Sequence, residues 1–474
     1  MRRFTIVVVL VILGSVTAQP LSPRPNPQLA ESPYPIFHVN GWASGTQDLR
    51  GPEPKDKLAV DFVRTGGASS WIVFGTRYRD GGRPIWGGTM TSVFKLVATA
   101  DKLVLADQVD LPGKSISDCF VLRDGRYVTC DRKNRRILVF ADATPGSSKS
   151  KIRQVKEFSL PKETPGGFAH MSLTYDGWIV WVTHEGWFGA TPIDFSRTVS
   201  FRPKMLTNEV LDHNSFPVDA DGNLFVVTTA RMLCLNLRNG KFSVRWEAPY
   251  DFSGTGKQIG RRLEKLLTVT GRGGTGSGTT PTLIGVKDQP RMVSVVDGQA
   301  PNNMLLFWAD EIPADWKGLR GYDRRLAARL PLPHSSPEGR GFTQENSPVG
   351  YGNDLFTAQW NGFRPERNPV PGAQKLTWDP KRRTLSVAWT NPKVVMNGVP
   401  ALSTASGLVY SSGPNGDTNR FIGLDWKSGR TELSVEVPRA SETIDQGNQT
   451  ILDDDRSAYF SGRRGVVRIR PLPR

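Results

Sequence analysis

Polar side chains suited to acid–base or ligand chemistry recur along this chain just before short apolar strands. Carboxylates and imidazoles transfer protons near neutral pH, and amides and hydroxyls bind substrates through hydrogen bonds. The spacing is roughly 45 to 65 residues, the interval of a repeated structural unit. The members of this group are Asp118, His170, His213, Asn214, Thr279, Thr280, Glu345, Asn346 and Gln449.

The group divides between two roles. The predicted catalytic residues are Asp118, His170, His213 and Glu345. The predicted substrate-binding residues are Asn214, Thr279, Thr280, Asn346 and Gln449. Oxygen ligands suit a hard divalent cation, so Glu345 and Asn346 are also candidate ligands for a metal such as Ca²⁺. The alternative is a hydrated polar channel in which no reaction takes place.

The elements that must position these residues are short strands joined by tight turns. Asp-Gly pairs, which tolerate the positive φ of hairpins, separate successive strands at Asp124, Asp176 and Asp221. Repeated units of about four strands predict a single all-β propeller, in which the innermost strand of each blade lines a central channel. Polar residues at equivalent strand starts would meet there. We count eight blades, and merging the weakest would give seven.

The last unit holds only three strands, which predicts how the ring closes. An open propeller would leave two exposed sheet edges. We therefore expect a strand near the N-terminus to complete the last blade, and residues 34–42 are the candidate. The first blade is predicted to begin at about Leu58 and to end at Leu111.

The N-terminus has the pattern of a secretion signal. Arg2 and Arg3 precede an apolar run, and small residues end at Ala18. We predict a signal peptide over 1–18, a flexible proline-rich segment over 19–35 and a propeller domain over 36–474. The mature protein is expected to be a secreted or periplasmic monomer without a transmembrane segment. The alternative is an uncleaved membrane anchor.

The formal net charge is +16. A basic protein outside the cytoplasm can bind polyanions, and an acidic saccharide or another small molecule is the predicted ligand. Nucleic acid is not an expected partner. The alternative is that the charge only keeps the surface solvated.

Three cysteines leave the disulfide pattern open. In a hairpin with a two-residue turn at Asp124-Gly125, Cys119 would lie opposite Cys130 in a hydrogen-bonded pair, the wider-spaced kind. A bulge would change that register and leave two thiols. Cys234 is expected to be a buried free thiol.

Two further groups have competing interpretations. His184 extends the site or belongs to a turn at the rim. The acids at 453–455 ligate calcium or form a solvated turn.

Two segments resemble the quinoprotein-type (PQQ-like) propeller repeat, which ends in an apolar strand, Asp or Asn, a turn with Gly and an aromatic closing strand. They are 233–246 and 421–434. That family includes quinone-dependent alcohol dehydrogenases and cofactor-free outer-membrane assembly scaffolds. The dehydrogenases carry two adjacent cysteines, which this chain lacks, so PQQ is not expected. Residues 214–225 resemble SMP-30/gluconolactonase-like propellers, which implies a divalent metal held on the axis by Glu, Asn and Asp.

Together these observations favour a hydrolase or lyase over an oxidoreductase, acting on a sugar, lactone or ester and binding carbohydrate. One alternative is a non-catalytic extracytoplasmic binding or assembly scaffold. A second is a quinoprotein-like dehydrogenase.

Overall fold

Eight small sheets follow one another along the chain in a computed structural model. It describes residues 19–67, 69–206, 209–211, 215–250, 276–299, 301–335, 344–362, 364–367 and 369–473. The sheets are the blades of a β-propeller, which confirms the predicted all-β class and the count of eight. Helical structure in these ranges consists of α1 (Ala440–Thr443) and a 3-10 turn at Pro365–Arg367. The described helices are all too short to cross a bilayer. The predicted signal peptide over 1–18 lies outside the described residues.

The first four blades are antiparallel sheets in chain order. Blade 4 has three strands, and its inner edge is marked by a single bridge between Val218 and Leu224. The strands of blades 1 to 4 are β3 (Ser69–Phe74), β4 (Arg83–Thr89), β5 (Ser92–Ala98), β6 (Leu103–Asp110), β7 (Ile116–Val121), β8 (Tyr127–Asp131), β9 (Arg136–Asp142), β10 (Ile152–Ser159), β11 (Phe168–Leu173), β12 (Trp178–Thr183), β13 (Phe188–Pro192), β14 (Val199–Phe201), β15 (Asn223–Val227), β16 (Arg231–Arg238) and β17 (Lys241–Pro249).

The last four blades incorporate two strands from the N-terminal region. β1 (Thr46–Gln47) adds in parallel to the inner edge of blade 7, and β2 (Leu58–Arg64) forms the outer edge of blade 8. The other strands are β18 (Thr282–Ile284), β19 (Met292–Val296), β20 (Asn303–Trp308), β21 (Leu326–Pro331), β22 (Val349–Tyr351), β23 (Asp354–Ala358), β24 (Ala373–Asp379), β25 (Thr384–Asn391), β26 (Ala401–Ser403), β27 (Leu408–Asn415), β28 (Thr418–Asp425), β29 (Thr431–Val437), β30 (Ile451–Leu452), β31 (Ala458–Gly462) and β32 (Gly465–Pro471).

Burial follows position within a blade. All six residues of β12, which lies between two strands and between two neighbouring blades, are buried. The outer strand β10 instead has mostly exposed or half-buried residues, because one edge and much of one face meet solvent. The apolar core is therefore a ring of clusters between adjacent blades, the pattern expected for radially arranged sheets. We call the end of the channel at which the innermost strands begin the upper face, and the other end the lower face.

The ring is closed by an N-terminal strand, as predicted, but by a different one. β2 pairs along its whole length with β32, from Leu58 opposite Pro471 to Arg64 opposite Gly465. The prediction that residues 34–42 close the ring is wrong, and so is the start of the first blade at Leu58. That blade begins at β3 and includes β4, a strand not anticipated from the sequence.

Arginine–aspartate pairs hold the closing blade against blade 1. The Arg83 guanidinium lies 2.9 Å from Asp453 and 2.6 Å from Asp454, and Arg77 pairs with both carboxylates. Arg468 lies 2.6 Å from the third acid, Asp455. These acids lie in the turn between β30 and β31, and Asp454 and Asp455 are partly exposed there, but all three carboxylates are ion-paired with arginines. We call Arg77, Arg83 and residues 453–455 the clasp.

Residues 19–50, here called the arm, run across the channel from the lower face. The arm begins beside blade 5, where Pro20 bridges to Val286, and reaches blade 2, where Leu29 bridges to Leu122. The backbone of the arm then accepts hydrogen bonds from the innermost strands of five blades. The donors are the amides of Phe74, Val121, Leu283, Gly350 and Leu402.

Residues 19–35, for which flexibility is predicted, make specific contacts with the blades. Leu29, Ala30 and Tyr34 are buried, and Asn26 donates a hydrogen bond to the carbonyl of Leu173 at 3.1 Å. The innermost strands are short, so some of their backbone amides have no partner in a neighbouring strand. Carbonyl groups of the arm accept hydrogen bonds from these amides.

The cysteine hairpin contains the bulge that the sequence left open. The register opposes Cys119 to Thr129 and then shifts before Ile116 meets Asp131. Cys119 packs in the core between blades 1 and 2, whereas Cys130 packs in the core on the other face of blade 2. Both are free thiols, and so is the buried Cys234, as predicted.

Candidate functional site

Asp118 and His170 stand at equivalent places in neighbouring blades. Asp118 lies in the register shift at the start of β7, and His170 lies beside the shift at the start of β11. A bulge adds a residue to one strand and redirects side chains, which is why bulges are frequent next to active sites. Two bulges thus turn a carboxylate and an imidazole toward each other between blades 2 and 3.

The two side chains form a close buried pair. His170 Nδ1 lies 2.6 Å from Asp118 Oδ2, and both side chains are buried. The same carboxylate oxygen accepts the Met171 amide hydrogen at 3.1 Å, and Ser117 Oγ lies 3.3 Å from Oδ1. The contact between His170 Nδ1 and Asp118 Oδ2 is short, but neither ring nitrogen of His170 makes a well-aligned hydrogen bond to a described residue. A carboxylate beside Nδ1 favours the neutral tautomer with its proton on Nδ1, which leaves the lone pair on Nε2.

Charge and burial keep the pair in an ionised-carboxylate, neutral-imidazole state. Burial raises the pKa of Asp118, but the charges of His170 and Arg132 and the hydrogen bonds outweigh it, so the pKa lies below its usual value. Burial lowers the pKa of His170, Asp118 opposes this, and the net pKa is below the ordinary value. His170 is therefore a neutral base at neutral pH.

Arg132 supplies a positive charge beside the pair. It follows β8, and its Nη2 lies 3.4 Å from Asp118 Oδ1. Its side chain is one-quarter exposed, and its buried Nε has no hydrogen-bond partner among the residues that the structure describes. A guanidinium with donors to spare next to a base is suited to holding an anionic group.

His38, from the arm, is the second imidazole of this region. It is buried, and its Nδ1 lies 2.9 Å from Oε1 of Gln449, at the start of blade 8. Burial lowers the pKa of His38 to about 4, the hydrogen bond to Gln449 raises it, and the nearby His170 lowers it while Asp118 raises it. The ring therefore lies within electrostatic range of the Asp118–His170 pair.

His184 is a third imidazole near the same pair. It begins the turn after β12, with Nδ1 3.2 Å from the Leu211 carbonyl oxygen. Burial lowers its pKa to about 4, the hydrogen bond to Leu211 raises it, and the charges of Arg132 and His170 lower it. It thus belongs both to a rim turn and to the electrostatic surroundings of His170.

The other predicted residues form a polar belt on blades 4 to 6. Thr280 Oγ1 lies 2.9 Å from Ser215 Oγ, and the Thr280 amide donates to Ser347 Oγ at 3.0 Å. Thr279 Oγ1 accepts the Val296 amide hydrogen at 3.0 Å. Thr280 therefore links blades 4, 5 and 6, whereas Thr279 makes its contact within blade 5.

Asn346 and Glu345 are held differently. Asn346 Nδ2 donates to the carbonyls of Ala358 and Met396, both at 3.3 Å, and its Oδ1 has no hydrogen-bond partner within the described ranges. Glu345 is half-buried.

The other two predicted site residues, His213 and Asn214, lie outside the described residues. Among the described residues no set of three or more His, Cys, Asp or Glu side chains is placed to hold a metal ion.

Sequence reasoning missed His38 and Arg132. His38 lies in a segment without strand periodicity, and only docking of the arm brings it to the channel. Arg132 stands in an ordinary charged hairpin, Asp131-Arg132-Lys133. The available signal was its place after the second strand of blade 2, because such loops share the upper face with the starts of the innermost strands.

No family model matches the chain. A relative from Archaeoglobus fulgidus, described as an uncharacterized protein, is 28% identical over 478 residues, which cover 94% of this chain and 90% of the relative.

Several solved structures are similar in fold. Saccharomyces cerevisiae Sqt1 gives a TM-score of 0.48 at 11% identity, covering 95% of this chain and 100% of that one. A streptogramin B lyase gives 0.42 at 10% identity, covering 88% and 98%. BamB from Moraxella catarrhalis gives 0.43 at 9% identity, covering 75% and 87%. These likenesses agree with the propeller seen in the eight sheets, and at TM-scores below 0.5 they carry no argument about activity. The similarity to SMP-30-like propellers stays a prediction.

Proposed function

We propose that this protein is a lyase or hydrolase in which His170 is the general base. The observation that carries the proposal is the buried imidazole whose Nδ1 lies 2.6 Å from the Asp118 carboxylate and whose Nε2 has no partner among the described residues. A buried polar nitrogen without a hydrogen-bond partner destabilises the folded state by about 1–3 kcal/mol. A catalytic role is one reason why a protein retains such a group.

The step is a proton transfer to His170 Nε2. In elimination the proton leaves a carbon beside a carboxylate or carbonyl, its electron pair forms the C=C bond, and the C–O bond to the leaving oxygen breaks. In hydrolysis the proton leaves water while its oxygen attacks the ester or lactone carbon. In both reactions the imidazolium, stabilised by Asp118, returns the proton to the leaving oxygen.

Arg132 makes an anionic substrate the best fit. Its guanidinium would hold a carboxylate next to the acidic proton, and the negative charge that develops on the substrate would be stabilised there. Sugars, lactones and esters that bear a carboxylate combine the required groups. Action outside the cytoplasm belongs to the same proposal and is supported by the signal-like pattern over 1–18.

The test is turnover of a panel of lactones, aryl esters and uronate esters by the full chain. Wild type is expected to turn over at least one class, and His170→Ala is expected to lower kcat by about 10²–10⁴-fold, the usual contribution of a positioned base. His334→Ala is the matched control, because His334 lies against Gly372 and Gln374 and away from Asp118. Unchanged turnover in His170→Ala, or no turnover by wild type on the whole panel, contradicts the proposal.

A second candidate function is binding without catalysis. A cavity of about 570 Å³ opens on the lower face, lined largely by the arm, which includes Trp42, and by blade residues such as Leu283 and Tyr351. It shares no residue with the Asp118–His170 pair. A scaffold would retain its ligand or partner in His170→Ala and lose it when this cavity is filled, for example by Ser22→Trp at an exposed position of its lining, whereas the enzyme would show the reverse.

A further inference from the structure

Six arginines lie together on the upper face, at the junction of blades 6, 7 and 8. They come from the end of β2, the loop between β23 and β24, the loop between β29 and β30, and the turn between β31 and β32. We call them the arginine surface, and its members are Arg64, Arg364, Arg367, Arg439, Arg463 and Arg464. The sequence of these segments contains no lysine.

Contacts between the four segments join them into one area. The Arg464 amide donates to the Glu442 carbonyl at 2.9 Å, and the Arg464 carbonyl accepts the Thr65 amide hydrogen at 3.1 Å. The loop between β23 and β24 is joined by an ion pair, because Arg463 Nη2 lies 3.1 Å from Glu366 Oε1. The six arginines therefore belong to one continuous part of the upper face.

One carboxylate is already bound within the arginine surface. Arg64 holds Glu442 through two hydrogen bonds, from Nε to Oε2 at 2.5 Å and from Nη2 to Oε1 at 2.8 Å. The hydrogen bond from Arg64 lowers the pKa of Glu442, and the charges of Arg64, Arg439 and Arg464 lower it further. Two-pronged pairing of this kind is how a guanidinium group recognises a carboxylate, and lysine cannot reproduce it.

Most of the positive charge on this surface is unpaired. Four of the six side chains are exposed and form no ion pair with a described residue: Arg364, Arg367, Arg439 and Arg464. The exposed acids of the same segments, Glu366 and Glu442, are already paired. Asp417, in the turn before β28, adds one acid nearby. The remaining excess of positive charge attracts anions over about 8 Å at physiological ionic strength.

The surface lacks the features that bind a bilayer or a nucleic acid strand. Among the described residues, the large apolar side chains that are exposed lie elsewhere: Met90, Val104, Leu105, Leu206, Val210, Val244, Val387 and Leu472. In the described parts of these segments, Trp360 is buried, and the ring of Phe62 lies beneath the Arg439 guanidinium, 5.9 Å from its centre. Neither ring presents a free face on which a base could stack.

Main-chain groups of the surface are occupied as well. The amides of Glu442 and Thr443 donate to the Arg439 carbonyl, and the Arg463 amide donates to the Ile444 carbonyl. Peptides are commonly recognised through main-chain hydrogen bonds at a sheet edge or through side-chain pockets. The arginine surface instead offers guanidinium groups alone, which suits a polymer that carries a carboxylate on each unit.

We propose that the arginine surface binds an acidic polysaccharide, a chain of uronate sugars whose carboxylates pair with the exposed guanidinium groups. A chain of this kind contacts several arginines at once, so that weak single contacts add to a useful affinity. The inference goes beyond the proposed function, because it does not require the bound chain to reach Asp118 or His170.

The test is calorimetry of a polygalacturonate oligomer with the full chain. Wild type is expected to bind it at about 50 mM NaCl and to lose most of the affinity at about 300 mM. The double variant Arg439→Asn, Arg464→Gln should bind about tenfold more weakly at low salt, because two exposed charge contacts are lost. Asn tolerates the left-handed backbone of Arg439, at φ 58°, so this variant is expected to fold.

The matched control is the double variant Arg320→Gln, Arg382→Gln, which removes two exposed charges from the lower face. It changes the net charge by the same amount and should leave the affinity unchanged. Equal losses in the two double variants would mean that net charge alone drives binding, and this would overturn the inference. Wild type that does not bind polygalacturonate overturns it too.

Three other anions decide the class of the ligand. Poly-L-glutamate, oligothymidine and vesicles that contain phosphatidylglycerol are measured under the same conditions. Binding of any of them as tightly as polygalacturonate contradicts the assignment to a polysaccharide. Binding involves no proton transfer, so if it behaves as expected while His170→Ala keeps full turnover, the proposed function fails and the arginine surface stands.

Discussion

At the scale of single residues, His170 depends on Asp118 for both its tautomer and its charged state. Asp118→Asn removes the charge that stabilises the imidazolium, and the amide can present its NH₂ group to Nδ1 and reverse the tautomer. We expect kcat to fall by about 10²-fold or more, with a smaller change in KM, because the ground-state contacts of Arg132 are retained. Steady-state kinetics on the best substrate of the panel would show this, and a change confined to KM would contradict it.

His38 makes stability depend on pH in a defined window. Its folded pKa is about 4, against 6.5 for the free side chain, so below pH 6.5 the unfolded chain binds a proton that the folded one does not. Its contribution is complete above pH 6.5 and is lost as pH falls toward 4, by up to about 3 kcal/mol. His38→Asn should lack this loss.

Urea titrations of both proteins between pH 7 and pH 4.5 would measure the difference. Asp445 acts in the opposite direction, because burial raises its pKa to about 7 despite the hydrogen bonds that lower it, so its ionisation destabilises the fold as pH rises. That effect is common to wild type and variant and cancels in their difference. Parallel pH profiles for the two proteins would refute the assignment to His38.

Residue types and spacing predicted that Asp118 and His170 would share the channel, because both begin innermost strands of adjacent blades. They did not predict the 2.6 Å contact between the two side chains, which depends on two bulges. A bulge shifts the strand register by one residue, and the alternation of apolar and polar residues in the sequence does not reveal where it lies. The same limitation left open the question of Cys119 and Cys130.

At the scale of elements, the clasp joins blade 8 to blade 1 through buried charges. Arg83 is 2% exposed and Asp453 is fully buried, so neutralising one leaves the other with reduced compensation. Asp453→Asn is expected to lower the free energy of unfolding by about 3–5 kcal/mol. The control is Arg382→Ala, whose side chain is 83% exposed, with an expected change within about 0.5 kcal/mol. Equal denaturation midpoints for Asp453→Asn and wild type would show that the clasp contributes nothing.

The closing strand could be recognised as a strand but not assigned to its blade. The alternating segment over 58–63 precedes the first complete blade, so local pattern placed it there. Its partner is β32, and Asp61 and Arg470 are 409 residues apart in sequence. Register with so distant a strand is set by the closed ring and not by any local signal.

At the scale of the whole molecule, closure should make unfolding cooperative. In an open array each repeat contacts only its neighbours and can unfold from the ends. Here β2 pairs with β32 in blade 8, and the clasp joins blade 8 to blade 1, so neither the first nor the last blade lacks a neighbour. The arm is also hydrogen-bonded to five blades. We expect coincident urea transitions by tryptophan fluorescence, from 13 tryptophans, and by far-UV circular dichroism.

Asp453→Asn should separate or broaden these transitions by weakening the junction between blades 8 and 1. Two resolved transitions in wild type would instead mean that the ring behaves as independent groups of blades.

The periodicity of the sequence predicted the number of blades and the existence of the channel. It did not predict the position of the arm, because the proline-rich sequence of the arm has no repeat and its position depends on blades formed by later parts of the chain.

The pairing of β2 with β32 also orders events in time. Residues 58–64 are synthesised well before the strand that they pair with, since Asp61 and Arg470 are 409 residues apart. Until β32 has left the ribosome, β2 has no partner and the first blade has an uncovered flank. During that interval a nascent chain of this protein is most in need of a chaperone.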